Sequence, residues 1–381
     1  MTMAPEGMKK IFISDIHLGD ERSFAAPNPY GWIISNISNL ANFLEAQINA
    51  PDVAEMVILG DLFDTWVIPT DKDPLTSFPA ICSYNANLPV IDALKRLAAK
   101  GNFLSYVPGN HDMAFSSGGV EVIKQFIENE FPGIRYTYDP DLPTGVYRSG
   151  KLVAEHGNRF CLFNAPDTWT NQYSFLPLGY FIARLVAYKV SNYGTGENYH
   201  VILRRFVRKF LESPHFIKDI FDAIKDDAQL MTDDLKTPDF LRFPPIVGDI
   251  GTFYENLIEK WEKNRQDIGW GSAARYDGFG DLSQAAKDTY FFPSDSDKNI
   301  VIFGHTHEAD LRRFPRGPDP VSPDTPIDIS DRAIYANCGT WVDAVPSTYV
   351  ETQEDRDAGL QYVRVWTYPD KTLKREDFVE L

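Results

Sequence analysis

The chain has 381 residues, with 54 acidic against 37 basic side chains, a formal net charge of −17, and 43% hydrophobic and 24% charged residues. Those proportions exclude a disordered or fibrous chain. The acidic surplus excludes a general binder of long nucleic acid, which needs a basic face to displace counterions from phosphate. A small anionic substrate stays compatible, because a site can be locally positive on an acidic protein.

In chain order, short apolar runs predict strands over Ile11–Ile13, Met56–Leu59, Phe103–Val107, Leu152–Ala154 and Ile300–Phe303. Continuous rather than alternating apolar residues suit strands buried on both faces. Helical spacing fills Ile33–Ile48, Val90–Lys100, with Gly101 where a C-terminal cap belongs, and Val120–Glu130. Strand–helix alternation of this kind predicts a layered α/β core. Ala333–Asn337 and Leu360–Thr367 predict further strands, closing a second sheet.

The 149 positions from His156 to His305 exceed what one crossover needs. Leu178, Phe181, Ile182, Leu185, Val186 and Val190 follow helical spacing there, as do Tyr199, Ile202, Leu203, Phe206, Val207, Phe210 and Leu211. Phe216–Leu230 and Thr252–Asn264 continue the pattern. The expected organisation is a core of residues 1–164 and 296–381, interrupted by a mostly helical cap over 165–295. A proline-rich segment, 315–326, is expected to be an exposed loop.

Three cysteines, Cys82, Cys161 and Cys338, are too few and too scattered for a disulfide framework. With no secretory signal, they point to a reducing, cytoplasmic setting. No uncharged apolar run reaches the ~18 residues of a spanning helix; Phe175–Val190 comes nearest and is interrupted by Arg184 and Lys189.

Five predicted strands end alike: in Ser14-Asp15-Ile16-His17, Gly60-Asp61-Leu62-Phe63-Asp64, Pro108-Gly109-Asn110-His111-Asp112, Glu155-His156-Gly157-Asn158 and Gly304-His305-Thr306-His307. Open α/β sheets bind ligands beyond the carboxyl ends of their strands, so these tips can converge. Of seven histidines in the chain, five (His17, His111, His156, His305, His307) lie in these tips. Histidine with aspartate and asparagine is a ligand set for manganese, iron or zinc. An Asp-X-His or His-X-His pair on extended backbone points both side chains the same way. The other two, His200 and His215, are read as structural or exposed.

The ordered set D-X-H, G-D, G-N-H-D, H-G and G-H-X-H, each after an apolar strand, resembles the calcineurin-like metallophosphoesterase superfamily. The resemblance covers the segments around 11–20, 56–66, 103–112, 152–161 and 300–307, with the strand before Asn337-Cys338-Gly339-Thr340-Trp341, and leaves out the cap. It implies a four-layer α/β sandwich holding two divalent metal ions, manganese first, iron or zinc as alternatives, bridged by an aspartate and a hydroxide. By motif, Asp15, His17 and His307 would hold one ion, Asn110, His156 and His305 the other, and Asp61 would bridge them. His111 would stabilise phosphoryl oxygens or protonate the leaving oxygen, and Asp112 would orient its ring. Asp64 is read as support for His17 or for a turn.

The run Gly60-Asp61-Leu62-Phe63-Asp64-Thr65-Trp66 and the spacing from His156-Gly157 to Cys161 are further similar to the UDP-2,3-diacylglucosamine pyrophosphohydrolase branch. That branch cleaves a pyrophosphate bond in a lipid-linked sugar nucleotide and carries a helical insertion. Here His111 stands where the branch has arginine, and Asn158 where it has aspartate. The expected substrate is therefore a small phosphorylated molecule, with a nucleotide sugar or a lipid-linked phosphate among the choices. Substrate candidates are Asn158, Arg159, Arg204 and Arg208; the last two lie in a stretch, Phe175–Phe210, with six basic residues and one acidic. Such a locally basic cap also suits peripheral contact with an anionic membrane, against the default of a solvated face. Two other readings stay open: a metal-bound interaction module without catalysis, and a nucleotide phosphodiesterase.

Overall fold

The computed structural model describes residues 7–75, 77–101, 103–113, 119–139, 144–170, 175–194, 208–209, 211–212, 217–227, 235–237, 246–293, 296–316, 327–343 and 345–381. Along the chain run β1 (Lys9–Ile13), α1 (Ile37–Asn49), β2 (Val53–Leu59), α2 (Pro79–Cys82), α3 (Leu88–Ala99), β3 (Leu104–Val107), α4 (Gly119–Glu130) and β4 (Arg135–Tyr136). Then come β5 (Tyr147–Ser149), β6 (Leu152–Ala154) and α5 (Leu178–Tyr193). The chain ends with β7 (Ile300–Phe303), β8 (Asp310–Pro315), β9 (Arg332–Asn337), β10 (Ser347–Asp355), β11 (Leu360–Tyr368) and β12 (Leu373–Glu380).

Two sheets result, one of seven strands in the order β12-β11-β10-β1-β2-β3-β4 and one of five in the order β5-β6-β7-β9-β8. Side chains alternate across each strand, and the alternation sorts them into layers. Phe12, Val57, Leu59 and Val107 meet Leu152, Ala154, Ile300, Ile302, Ile334 and Ala336 between the sheets. Their strand neighbours Ile11, Ile13, Met56 and Ile58 turn the other way, onto Leu40, Phe43 and Leu44 of α1 and Val90, Ile91 and Leu94 of α3. Val153, Val301, Phe303 and Tyr335 leave the second sheet outward, onto Phe160, Leu282, Ala285 and Tyr290. The architecture is helix, sheet, sheet, helix: the expected four-layer α/β sandwich. Each fully buried Val, Leu, Ile or Phe in these layers contributes roughly 1.5–3 kcal/mol.

One strand expectation is corrected. β11 does not close the second sheet; it pairs antiparallel with β10, in register from Ser347↔Tyr368 to Asp355↔Leu360, and β10 pairs with β1. A short turn makes that local antiparallel pairing available without a crossover.

Among the described residues, the segment between β6 and β7 carries several helices. The pattern over 252–264 divides into helices Ile250–Phe253 and Leu257–Asn264, and further helices span Ile217–Asp227 and Trp270–Phe279. Most of the predicted helix over 199–211, with His200, Arg204 and Arg205, lies outside the described residues, as do His215 and residues 317–326 of the proline-rich loop. Leu178, Phe181, Ile182 and Leu185 of α5 pack with Tyr254, Leu257 and Trp261, and with Trp66, Met113 and Phe163, from loops that follow the strand tips. Arg184 on α5 is completely buried. Its guanidinium donates to the carbonyls of Ile68 at 3.1 Å, Pro69 at 3.0 Å, Thr70 at 3.4 Å, Lys72 at 2.7 Å and Lys236 at 2.6 Å. This ties the loop after Asp64 to the helix. Among the described residues, no helix is long and apolar enough to cross a membrane.

Candidate metal centre

β1, β2 and β3 are parallel neighbours in one sheet, and β6 and β7 in the other. Their carboxyl ends therefore open at one edge of the sandwich. Asp15, His17 and His307 bring ligand atoms within 4.8 Å of one another, and Asp61, His156 and His305 do the same. His307 Nε2 lies 3.2 Å from Asp15 Oδ1 and 3.1 Å from His17 Nε2. His156 Nε2 lies 3.2 Å from Asp61 Oδ2 and 3.0 Å from Asn110 Oδ1. Asp61 Oδ2 also stands 3.7 Å from His17 Nε2, so its carboxylate lies between the two groups. All seven motif-derived candidate ligands are thus brought together.

The alternation expected for the paired ligands is not how they are aimed. Asp15, His17, Asp61, His305 and His307 all have left-handed backbone, with φ of 54°, 58°, 52°, 69° and 59°. The turn that ends each strand, not an extended segment, directs these side chains inward. A non-glycine residue held there costs about 1–3 kcal/mol and persists where the surroundings over-determine it. The surroundings do so here. Asp15 Oδ2 accepts the His305 amide at 2.9 Å, and Asp61 Oδ1 accepts the His111 amide at 2.8 Å. His156 Nδ1 bonds the Leu59 carbonyl at 2.8 Å, which leaves Nε2 facing Asp61. Two glycines give the room. A Cβ on Gly60, whose φ is +77°, would sit 2.5 Å from the His156 ring, and one on Gly109 would sit 2.2 Å from Asp61 Oδ1.

The donor set fits divalent cations. Asp15 Oδ1 is buried with no hydrogen-bond partner. Beside it, the His17 and His307 Nε2 atoms point at one another, and two ring nitrogens can share at most one proton between them. Lone pairs converging on one point are what a cation satisfies. Burial raises the Asp15 carboxyl, but His307 and His156 overcome it and hold the pKa at about 2. Burial pushes His305 down to about 3, with His156 adding to the effect. Burial also works against the charged form of His156, yet Asp61 and Asp15 raise it to about 9. This field supplies the ionised carboxylates and the neutral His305 ring that ligation needs, whereas His156 must release its proton for a metal to bind.

Asp112 requires a correction. The carboxylate on the His111 ring is Asp64, whose Oδ1 lies 3.0 Å from His111 Nδ1 and whose Oδ2 lies 3.3 Å from His17 Nδ1. Asp112 instead accepts the amides of Asp61 at 2.7 Å, Gly109 at 2.8 Å and Phe63 at 2.9 Å. Adjacent in sequence, it points into the β2–β3 loops, away from the ring. Arg159 is held by Glu155, which takes both arms of its guanidinium, at 2.5 and 3.0 Å, and the Tyr290 hydroxyl lies 3.2 Å away. Asn158 is buried and donates to the Asn164 carbonyl at 3.1 Å, a loop-holding bond. Arg208 is exposed on a helical turn, and Arg204 lies outside the described residues.

Four site residues escaped the sequence reading. Trp66 stacks on the His111 ring at 4.7 Å, and Trp32 stands 4.3 Å from the His17 ring and 5.3 Å from His111. Asn164 accepts from Asn110 Nδ2 at 3.3 Å and donates to Asp277 at 2.6 Å. Only Trp66, inside a quoted motif, carried any signal.

Residues 8–181, under half of the chain, match the family model of calcineurin-like phosphoesterases. The match takes in the tips of β1, β2, β3 and β6; His305 and His307 lie beyond it and join through the fold. The particular proteins it is similar to include the UDP-2,3-diacylglucosamine hydrolases of Aromatoleum aromaticum, 35% identical, and Tolumonas auensis, 31% identical, each over 105 residues. Those alignments cover 28% of this chain, and the chain spans only 33% of either relative's length. Among solved structures, the Pseudomonas putida nuclease MPE is 16% identical over 39% of this chain and 53% of its own, with a TM-score of 0.22. The Chaetomium thermophilum Vps29 is 8% identical over 99% of both chains, with a TM-score of 0.30. Scores this low carry no argument, and the fold rests on the sheet order and layers described above.

Proposed function

We propose that this chain is a metal-dependent phosphohydrolase with a dinuclear centre, cleaving a phosphate ester or pyrophosphate bond by attack of activated water on phosphorus. The observation that carries the reading is the pair of ligand groups, Asp15–His17–His307 and Asp61–His156–His305, set side by side with the Asp61 carboxylate between them. Asp15, His17 and His307 would hold one ion, Asn110, His156 and His305 the other, and Asp61 both. When bound, two divalent ions, manganese first, supply the Lewis acidity that activates water and neutralises phosphoryl charge. His111, held by Asp64 and stacked on Trp66, faces the same cluster and would donate to the phosphoryl group or the leaving oxygen. Burial opposes its charged form, while Asp64 and Asp61 favour it.

Residues 165–295 are read as a cap over the 1–164 and 296–381 core, shaping substrate access. The substrate is a small phosphorylated molecule, and the hydrolase relatives make a lipid-linked nucleotide sugar the first to try. Three buried free cysteines accord with a reducing, cytoplasmic setting. The test is a manganese-supplemented panel of an aryl monoester, an aryl diester and a nucleotide sugar. Wild type should turn over at least one class, and Asp61→Asn should not. Full activity in that variant would remove the bridging role.

A further inference from the structure

The orientation of one candidate ligand is decided from inside the helical insertion. Asparagine can offer a metal its carbonyl oxygen or, turned over, an amide group with no lone pair to give. What decides is the partner of the amide. Asn110 Oδ1 points toward His156 Nε2 at 3.0 Å, and its Nδ2 donates to Asn164 Oδ1 at 3.3 Å. Asn164 faces the same choice, and its Nδ2 donates to Asp277 Oδ1 at 2.6 Å. The other Asp277 oxygen accepts the Phe163 amide at 2.9 Å. Asn110 and Asn164 are buried, at 1% and 6% exposure, so water offers neither amide a substitute partner.

Burial raises the Asp277 carboxyl to about 7; in its ionised form it is an acceptor only and terminates the chain of bonds. Its presence obliges Asn164 to turn its amide toward it, which obliges Asn164 to turn its oxygen toward Asn110. That in turn obliges Asn110 to aim its oxygen at the centre. Asp277 also comes within 4.8 Å of His305, a second ligand of the same ion. We propose that Asp277, through Asn164, is a positioning residue that sets the ligating sense of Asn110 and so the affinity of the second metal position. The proposal rests on the dinuclear reading above. It makes the insertion part of the centre's construction as well as a cover for it.

The test titrates Mn2+ into metal-free wild type, Asp277→Asn and Asn164→Ala, reading free Mn2+ by electron paramagnetic resonance. Wild type should show two binding steps. An amide at 277 can present a donor to Asn164 and reverse the relay. In each variant one step should weaken about 10- to 100-fold, the usual loss when a ligand's hydrogen-bond partner is removed. The other step should stay within about twofold, and the double variant should lose no more than the worse single one, as members of one network do. Asn164→Ala keeps the Asp277 bond to Phe163, so it tests the relay even if Asp277→Asn does not fold. Two unchanged steps in the folded variants, or an equal loss at both, would overturn the relay. Wild type lacking two steps would instead overturn the dinuclear reading.

Discussion

Asp64 Oδ1 lies 3.0 Å from His111 Nδ1, while the second oxygen of the same carboxylate lies 3.3 Å from His17 Nδ1. One carboxylate thus holds the ring of the candidate proton donor by a hydrogen bond and stands beside the ring of a candidate ligand, with Nε2 of each turned away from it. Asp64→Asn keeps the size and places a donor against one ring. Turnover should fall about 10- to 100-fold together with first-ion affinity, as for other partners of ligating histidines. Steady-state kinetics and metal analysis on the same preparations check this; a kinetic loss without an affinity loss would leave only the His111 contact.

Removing His111 itself should separate chemistry from binding. His111→Ala is expected to lower kcat by about 10²- to 10⁴-fold, the usual weight of a positioned general acid, while both ions remain bound. An undiminished kcat would take the proton-donor role away from it.

Gly109→Ala tests the steric argument with one methyl group. The added Cβ would meet Asp61 Oδ1 at 2.2 Å and the Asp61 amide nitrogen at 2.5 Å, so the β2 tip must shift. Metal binding and turnover should both collapse, while circular dichroism keeps its helical and strand content because both sheets lie away from the clash. Wild-type metal affinity would show that the tip has room to yield.

Arg184 makes a stability prediction. Its replacement by alanine takes a donor from five carbonyls; those of Pro69 and Thr70 keep the Lys72 and Lys236 amides at 3.0 Å, while the buried Ile68 carbonyl is left unpaired, which costs about 1–3 kcal/mol. Water entering the space would return part of that. Urea unfolding should show a loss of about 1–3 kcal/mol, with Arg184→Lys intermediate because lysine has fewer, unforked donors.

Chelation should abolish turnover, and Mn2+ should restore it without refolding. Strand pairing and the apolar layers carry the fold, so near-ultraviolet dichroism of the metal-free protein should keep its tertiary signature. Loss of that signature would mean that the centre also holds the sheets together.

The amino-acid sequence by itself determined the class of fold, the five strand tips and the candidate ligands. Apolar runs must be buried, polar tips follow them, and a rare residue such as histidine clustering at those tips is legible in one dimension. What the tips do with each ligand was decided only by tertiary structure. The alternation expected for Asp15 and His17 gave way to left-handed turns, because contacts from the neighbouring strand tips outweigh local backbone preference. Asp112, next to His111, serves loop amides, while Asp64, 47 positions away, serves its ring. Asn164 and Asp277 are 113 positions apart and carry no motif. Hydrogen-bond partners are chosen by distance and donor–acceptor complementarity in space, and sequence spacing records neither.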